Sequence, residues 1–194
     1  MWVGPSQPEI VKKCIATHKL EGYEHLFIDN HTHVDEEFMT PYFDECVLAG
    51  KWGKLSDYLR ICYLEKYGGI YLDADTEILE GKDFEGVLNN QLFCCEEENM
   101  FIANGIIGAI PNHPMLKYYK KLIEENFRGG GELVFQPGMY LWTELVKYSR
   151  WTQDIRVYPA EWFLPYNHQT NVLNITPNTI TNHYYLKSWI KNNE

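Results

Sequence analysis

A chain of 194 residues, 45% of them apolar or aromatic, is long enough to bury one core and too apolar to be a disordered segment. Its net charge of −10 excludes the basic stripe that tracking nucleic-acid phosphates requires, and argues against an anionic membrane surface as partner. A nucleotide ligand stays compatible, because a divalent cation can neutralise a diphosphate inside an acidic protein. The five cysteines, Cys14, Cys46, Cys62, Cys94 and Cys95, are odd in number and contain no C-x-x-C pair. They read as buried thiols of a reducing, cytoplasmic compartment rather than as disulfides or a zinc site. No signal-peptide pattern and no apolar run of membrane-spanning length is visible.

Taken in chain order, Trp2-Val3-Gly4 reads as the end of a strand. Ser6 and Glu9 stand at capping-box spacing with Pro8 in the first turn, and Ile10, Val11, Cys14 and Ile15 share one face of the helix that follows. Residues 25–29, around Leu26-Phe27-Ile28, read as a second strand, and two such strand–helix units suggest an α/β sheet. Leu55, Tyr58, Leu59, Cys62 and Tyr63 recur at helical spacing, and Gly68-Gly69 ends that helix as a left-handed cap. Ile70-Tyr71-Leu72 is then a short buried strand running into Asp73-Ala74-Asp75. Residues 92–95 and 101–110 read as strands around a Glu96-Glu97-Glu98 turn whose acids are expected in solvent. Helices are expected over 113–126 and 137–148, separated by Gly129-Gly130-Gly131. From Trp151 the chain is aromatic-rich and irregular, and nothing marks a domain boundary. Residues 1–194 therefore read as a single catalytic domain, one that a longer polypeptide could carry as a module.

The chemistry concentrates at Asp73-Ala74-Asp75. Residues two apart in an extended segment point to the same side, so both carboxylates can converge where the strand ends. That C-terminal edge is where open α/β sheets bind ligands. Two bare carboxylates that close repel each other, and a hard divalent cation, Mn²⁺ or Mg²⁺, removes the conflict. An isolated Asp-x-Asp arises easily by chance as a solvated turn, so its surroundings decide its meaning.

Those surroundings, Ser56-Asp57, Arg60, Tyr67-Gly68-Gly69, Tyr71 and Asp73-x-Asp75, resemble the signature of glycosyltransferase family 32. That family includes yeast-type α-mannosyltransferases and capsule enzymes. The chain is also similar to the glucosylating domains of clostridial toxins and to small enzymes of this type from large algal viruses. Asn104-Gly105 with Ala109 and His113-Pro114, and a His183…Ser188-Trp189 ending, extend the resemblance. Gln136-Pro137-Gly138 departs from the family's Thr-Gly-Pro turn, and Tyr184-Tyr185-Leu186-Lys187 departs from its aromatic pair and Gly.

The resemblance implies a GT-A-type α/β/α sandwich with a mainly parallel central sheet. It implies Asp75 as a direct metal ligand, Asp73 on the ribose and the metal, and His183 as a third ligand or diphosphate contact. Asp57 and Arg60, one helical face apart at i,i+3, would reach the donor sugar and its phosphate. Asn104 would face the acceptor. Trp2 would stack on the base beside Gly4, and Lys187, Ser188 and Trp189 would line the diphosphate. The function expected is transfer of a hexose from a UDP-sugar, UDP-glucose by default, to a glycan or other hydroxyl acceptor, with retention of configuration. GDP-mannose is the alternative donor. A non-catalytic carbohydrate-binding module is the rival of another class; its aromatic wealth would fit, but it has no need of Asp57, Arg60, Asp73 and Asp75 together.

Overall fold

The computed structural model describes residues 7–29, 34–127, 138–167 and 169–186. The expected strand at Trp2-Val3-Gly4, the Ser6 cap and the Gly129-Gly130-Gly131 break lie outside them. Helix α1 (Glu9–Thr17) buries Val11 and Cys14, with Pro8 at its N-cap position. Residues 26–28 form no strand, and Leu26 is 59% exposed; regular pairing there is limited to a bridge at Asp29. A three-residue apolar run carries a strand's composition without the burial on both faces that a parallel strand needs.

Helix α2 (Pro41–Leu48) escapes the periodicity reading but has a clear start: Thr40 accepts a hydrogen bond from the Phe43 amide, and Pro41 opens the first turn. Helix α3 (Trp52–Tyr67) is buried around most of its circumference, with Leu55, Tyr58, Leu59, Arg60, Ile61, Cys62 and Leu64 all inside. Gly68 ends it at φ 67°, where a Cβ would also sit 2.7 Å from the Pro111 ring and 2.9 Å from the Ala109 carbonyl. Only glycine meets both demands.

Strands β1 (Gly69–Leu72), β2 (Thr76–Ile78), β3 (Leu92–Cys95) and β4 (Ile106–Ala109) follow. Helix α4 (Pro114–Asn126) is capped by His113, whose Nδ1 accepts from the Met115 amide, and helix α5 (Met139–Tyr148) comes next. Strands β5 (Ile155–Tyr158), β6 (Tyr166–Asn167), β7 (Val172–Leu173) and β8 (Thr181–His183) complete the described elements. The chain is α/β, as expected, and its central sheet, in the order β1-β4-β3-β5, contains a parallel pair, β3 with β5. The sheet is mixed where the sequence reading had a mainly parallel one: among the described residues β1–β4 and β4–β3 are antiparallel. Connection type explains the difference. The return from β3 to β4 is a short loop with one 3-10 turn and no α-helix, whereas β3 reaches β5 only after α4 and α5.

The sheet has a core on each side. Leu92, Cys94 and Ile107 join the cluster under α2, α3, α4 and α5, while Phe93, Cys95 and Ile106 join Phe84, Val87 and Phe163 on the other face. The adjacent thiols Cys94 and Cys95 thus face opposite ways, as strand alternation requires, and all five cysteines are buried and free. Burial pushes the Cys14 and Cys62 thiols up to about 12. Away from the central sheet, β2 pairs antiparallel with β8, Thr76 opposite His183.

Phe93 lies over Gly108, its partner across β3 and β4, where an added Cβ would fall 1.9 Å from a ring carbon. Gly108→Ala is expected to lower stability by ~1–3 kcal/mol through overpacking. Urea unfolding checks this, as a lower midpoint at unchanged slope. Gly86→Ala, whose Cβ meets nothing within 4 Å, serves as the control.

Candidate metal and nucleotide-sugar site

Strand β1 ends at Leu72, and the pairing with β4 continues one step further: the Asp73 amide donates to the Gly105 carbonyl at 2.8 Å. The Thr76 amide then donates back to the Asp73 carbonyl at 3.0 Å, closing a tight turn with Ala74 buried. This turn carries both carboxylates at the sheet edge. The β2–β8 pairing brings His183 to them across 108 positions of sequence, its Nε2 3.0 Å from Asp75 Oδ1 and 3.9 Å from Asp73 Oδ2. Ligand atoms of Asp73, Asp75 and His183 all lie within 4.8 Å of one another. The chain after β8 fixes Asp75 further: the Leu186 amide donates to Oδ2 at 2.8 Å and the Tyr184 amide to the Asp75 carbonyl at 3.0 Å. Gly105 keeps the space beside Asp73 open, since a Cβ there would sit 2.6 Å from Oδ2.

Arg60 organises the other half of the site. Its buried guanidinium donates to the Ser56 hydroxyl at 3.1 Å and to the Asn104 carbonyl, and stands 3.1 Å from Asp57 and 3.5 Å from Asp73. Its Nε bonds the Ser56 carbonyl at 3.3 Å, and the group lies 4.5 Å from the centre of the Tyr71 ring. Tyr71 donates its hydroxyl proton to Asp73 Oδ1 at 2.7 Å. The Asn104 amide donates to Asp57 at 2.9 Å, and Gly138 borders the same carboxylate, where a Cβ would sit 3.2 Å from Oδ2. Asp57, Arg60 and Asn104 therefore form one hydrogen-bonded unit joined to Asp73.

The electrostatics follow from this packing. Burial pushes the Asp57 carboxyl up most strongly, and Asp73's charge adds to that, while Arg60 and the Asn104 amide oppose it. Burial also favours neutral Asp75, but the His183 hydrogen bond and charge, with the Leu186 amide, outweigh it and hold Asp75 below its ordinary value. For His183 burial favours the neutral ring, yet the Asp75 hydrogen bond and the charges of Asp73, Asp75 and Glu97 hold it above 6.5. Two carboxylate oxygens and an imidazole nitrogen at one sheet edge, with a glycine opposite, suit Mn²⁺ or Mg²⁺. A proton on His183 and such a cation compete for the same carboxylates.

Six sequence-derived candidates thus come together: Asp57, Arg60, Asn104, Asp73, Asp75 and His183. Trp2, Gly4, Lys187, Ser188 and Trp189 lie outside the described residues. The structure adds Tyr71 as a positioning group, which the i,i+2 alternation with Asp73 could have disclosed. It corrects the solvated reading of the acidic turn. Glu96 is exposed, but Glu97 is half-buried and within the field of Asp73 and His183. No sequence signal separates Glu97 from its neighbours, because the distinction comes from the loop's return path.

The fold is that of a GT-A glycosyltransferase. It matches the PaToxG glycosyltransferase with a TM-score of 0.54 at 18% identity, covering 78% of this chain and 66% of that one. Residues 4–134 match the family model described as capsular polysaccharide synthesis protein, and the chain belongs to that family. An uncharacterised glycosyltransferase of Acanthamoeba polyphaga mimivirus is 28% identical over 160 residues, 75% of this chain and 61% of that protein. Human α-1,4-N-acetylglucosaminyltransferase is 33% identical over 61 residues, 31% of this chain and 16% of that protein. The chain spans less than two thirds of the length of these relatives. Among the described residues no helix is long and apolar enough to cross a membrane.

The Asp75–His183 pair generates a pH signature for the metal-free protein. His183's raised pKa gives a contribution fully present below about 6.5 and lost as pH rises through the higher folded value. Asp75's lowered pKa gives one present above its ordinary range and lost as pH falls through the depressed value. The melting temperature in EDTA should therefore decline on both sides, and His183→Gln should flatten the alkaline limb. Melts between pH 4 and 9 check both limbs; an unchanged alkaline limb in the variant would show that another group titrates there.

Proposed function

We propose that this chain is a metal-dependent glycosyltransferase that moves a hexose from a nucleotide-sugar donor to a hydroxyl acceptor, with a UDP-sugar, UDP-glucose by default, as donor. The observation that carries the reading is the convergence of Asp73, Asp75 and His183 at the end of β1, beside the Asp57–Arg60–Asn104 unit. Family membership and the GT-A fold support it.

In this reading Asp73, Asp75 and His183 hold the cation. Bound there, Mn²⁺ or Mg²⁺ supplies Lewis-acid compensation for the charge on the departing nucleoside diphosphate. His183 binds as neutral imidazole, so its proton leaves to solvent when the ion enters. The half-buried Asp57 carboxylate and the Asn104 amide present hydrogen-bonding groups to the sugar side of the site. Arg60 is a positioning residue here, its guanidinium turned onto Ser56, Asp57, Asn104 and Asp73. By resemblance Trp2 and Gly4 receive the base, where stacking contributes roughly 1–3 kcal/mol, and Lys187, Ser188 and Trp189 line the diphosphate.

Asp75→Asn keeps the side-chain shape and removes one charged oxygen ligand. Turnover of UDP-glucose with saturating Mn²⁺ is expected to fall by roughly 10²–10³, the scale of a lost electrostatic contact to a leaving group. The variant should remain folded by circular dichroism. Exposed Glu125→Gln should match the parent protein. Near-parental turnover in Asp75→Asn would place the metal site elsewhere.

Calorimetry across UDP, GDP and TDP with Mn²⁺ tests the base. UDP is expected to bind tightest. A preference for GDP of about 1.4 kcal/mol or more, a tenfold ratio, would favour GDP-mannose as donor.

A further inference from the structure

The segment that carries Asn104 is fastened along the first turns of α5. The Ile102 amide donates to Thr143 Oγ1 at 2.9 Å, and Trp142 Nε1 donates to the Ala103 carbonyl at 2.9 Å. At the end of this seam the Phe101 and Tyr140 rings meet, with centroids 5.0 Å apart and planes at 79°. Both members of the pair lead to the sugar side of the site. Asn104 follows Phe101 by three residues, a reach of at most about 11 Å, and donates its amide to Asp57. Gly138, two residues before Tyr140, borders the same carboxylate, where a Cβ would sit 3.2 Å from Oδ2.

The loop leading into Phe101 is held away from its relaxed form. Asn99 and Met100 both have positive φ, 59° and 62°, which costs energy at non-glycine positions. Gln169 holds the loop through its side-chain amide on Asn99 Oδ1 at 2.7 Å and its backbone amide on Glu98 Oε1 at 3.3 Å. Lys147 donates to the Met100 carbonyl, and the Glu97 amide donates to the Phe101 carbonyl at 2.8 Å. These contacts keep Phe101 against Tyr140. The surface they hold is open: Tyr140 is 72% exposed, and Phe101 is half-buried. A strained loop that holds aromatic surface in water beside a polar site gains nothing from the core, which is the mark of a binding surface.

We infer that Tyr140, backed by Phe101, forms the acceptor subsite, and that the acceptor it takes is an uncharged saccharide. This rests on the hexosyltransferase reading given above. One face of a pyranose is made of C–H groups that lie on an aromatic ring, while the hydroxyls at its rim hydrogen-bond groups such as the Asp57 carboxylate. The near-perpendicular contact with Phe101 steadies Tyr140 without closing it in a ring-on-ring stack. Charge favours the neutral sugar. Asp57 stands at one end of the seam and Glu98 in the loop at the other, Arg60 is enclosed among its own partners, and the Lys147 ammonium is used by the Met100 carbonyl. A uronate or phosphorylated acceptor would meet like charge here.

The experiment measures UDP release from UDP-glucose with Mn²⁺ in the presence of methyl glycosides of glucose, galactose, mannose, N-acetylglucosamine and glucuronic acid. The proteins compared are the parent, Tyr140→Ala, Tyr140→Phe and exposed Glu125→Gln. At least one neutral glycoside is expected to accelerate release, and the glucuronide is not. For that glycoside Tyr140→Ala should raise KM roughly tenfold while KM for UDP-glucose holds, the split that a contact serving acceptor binding gives. Tyr140→Phe keeps the ring face and should restore the parental acceptor KM, and Glu125→Gln should match the parent throughout. Tyr140→Leu takes the place of the alanine variant if that one is unstable. A parental acceptor KM in the ringless variant, a rise in the donor KM instead, or acceleration by the glucuronide or by no glycoside overturns the inference and leaves the transferase reading standing. Absence of any UDP release by the parent protein overturns that underlying reading instead.

Discussion

A guanidinium is tolerated inside a protein only when its donors are used and its charge is matched. Arg60 meets that condition through Ser56, Asp57, Asn104 and Asp73, with the Tyr71 ring beneath it. The carboxylates at its two ends need it equally, since a buried pair broken on one side typically costs 3–5 kcal/mol. Arg60 thus couples the middle of α3 to the end of β1 and to the segment before β4. The orientation of Asp57 and Asp73 depends on that one cation.

The second constraint is the β2–β8 ladder. It is short, Thr76 to Ile78 against Thr181 to His183, yet it returns the C-terminal part of the chain to the Asp73–Asp75 turn. Backbone amides of Tyr184 and Leu186 then hold Asp75 directly. The same contacts make His183 sensitive to charge. A ring that burial would keep neutral is pulled toward its protonated form by the carboxylates around it. Cation binding and protonation are therefore alternative ways of resolving the same repulsion.

Behind the edge, the sheet holds its line because both faces are packed. Phe93 fits over Gly108 on one side, and Leu92 and Cys94 pack against the helices on the other. The core fixes where β1, β3 and β4 end, and the polar groups occupy the three ends that result. Rigid strands carrying function at their termini, with loops free to diverge, is the general arrangement of ligand sites in α/β folds.

The sequence alone determined what depends on local periodicity and backbone chemistry. The helical spacing of Leu55, Tyr58, Leu59 and Cys62, the Gly68-Gly69 stop, and two aspartates on one side of a strand end all follow from neighbours a few residues apart. The opposed faces of Cys94 and Cys95 follow from the same alternation. Tertiary structure decided the rest. The antiparallel places of β1 and β3 beside β4, the approach of His183 and the partial burial of Glu97 each depend on segments distant in sequence. Such pairings are selected by packing and hydrogen-bond satisfaction summed over the whole chain, and no local pattern records that sum.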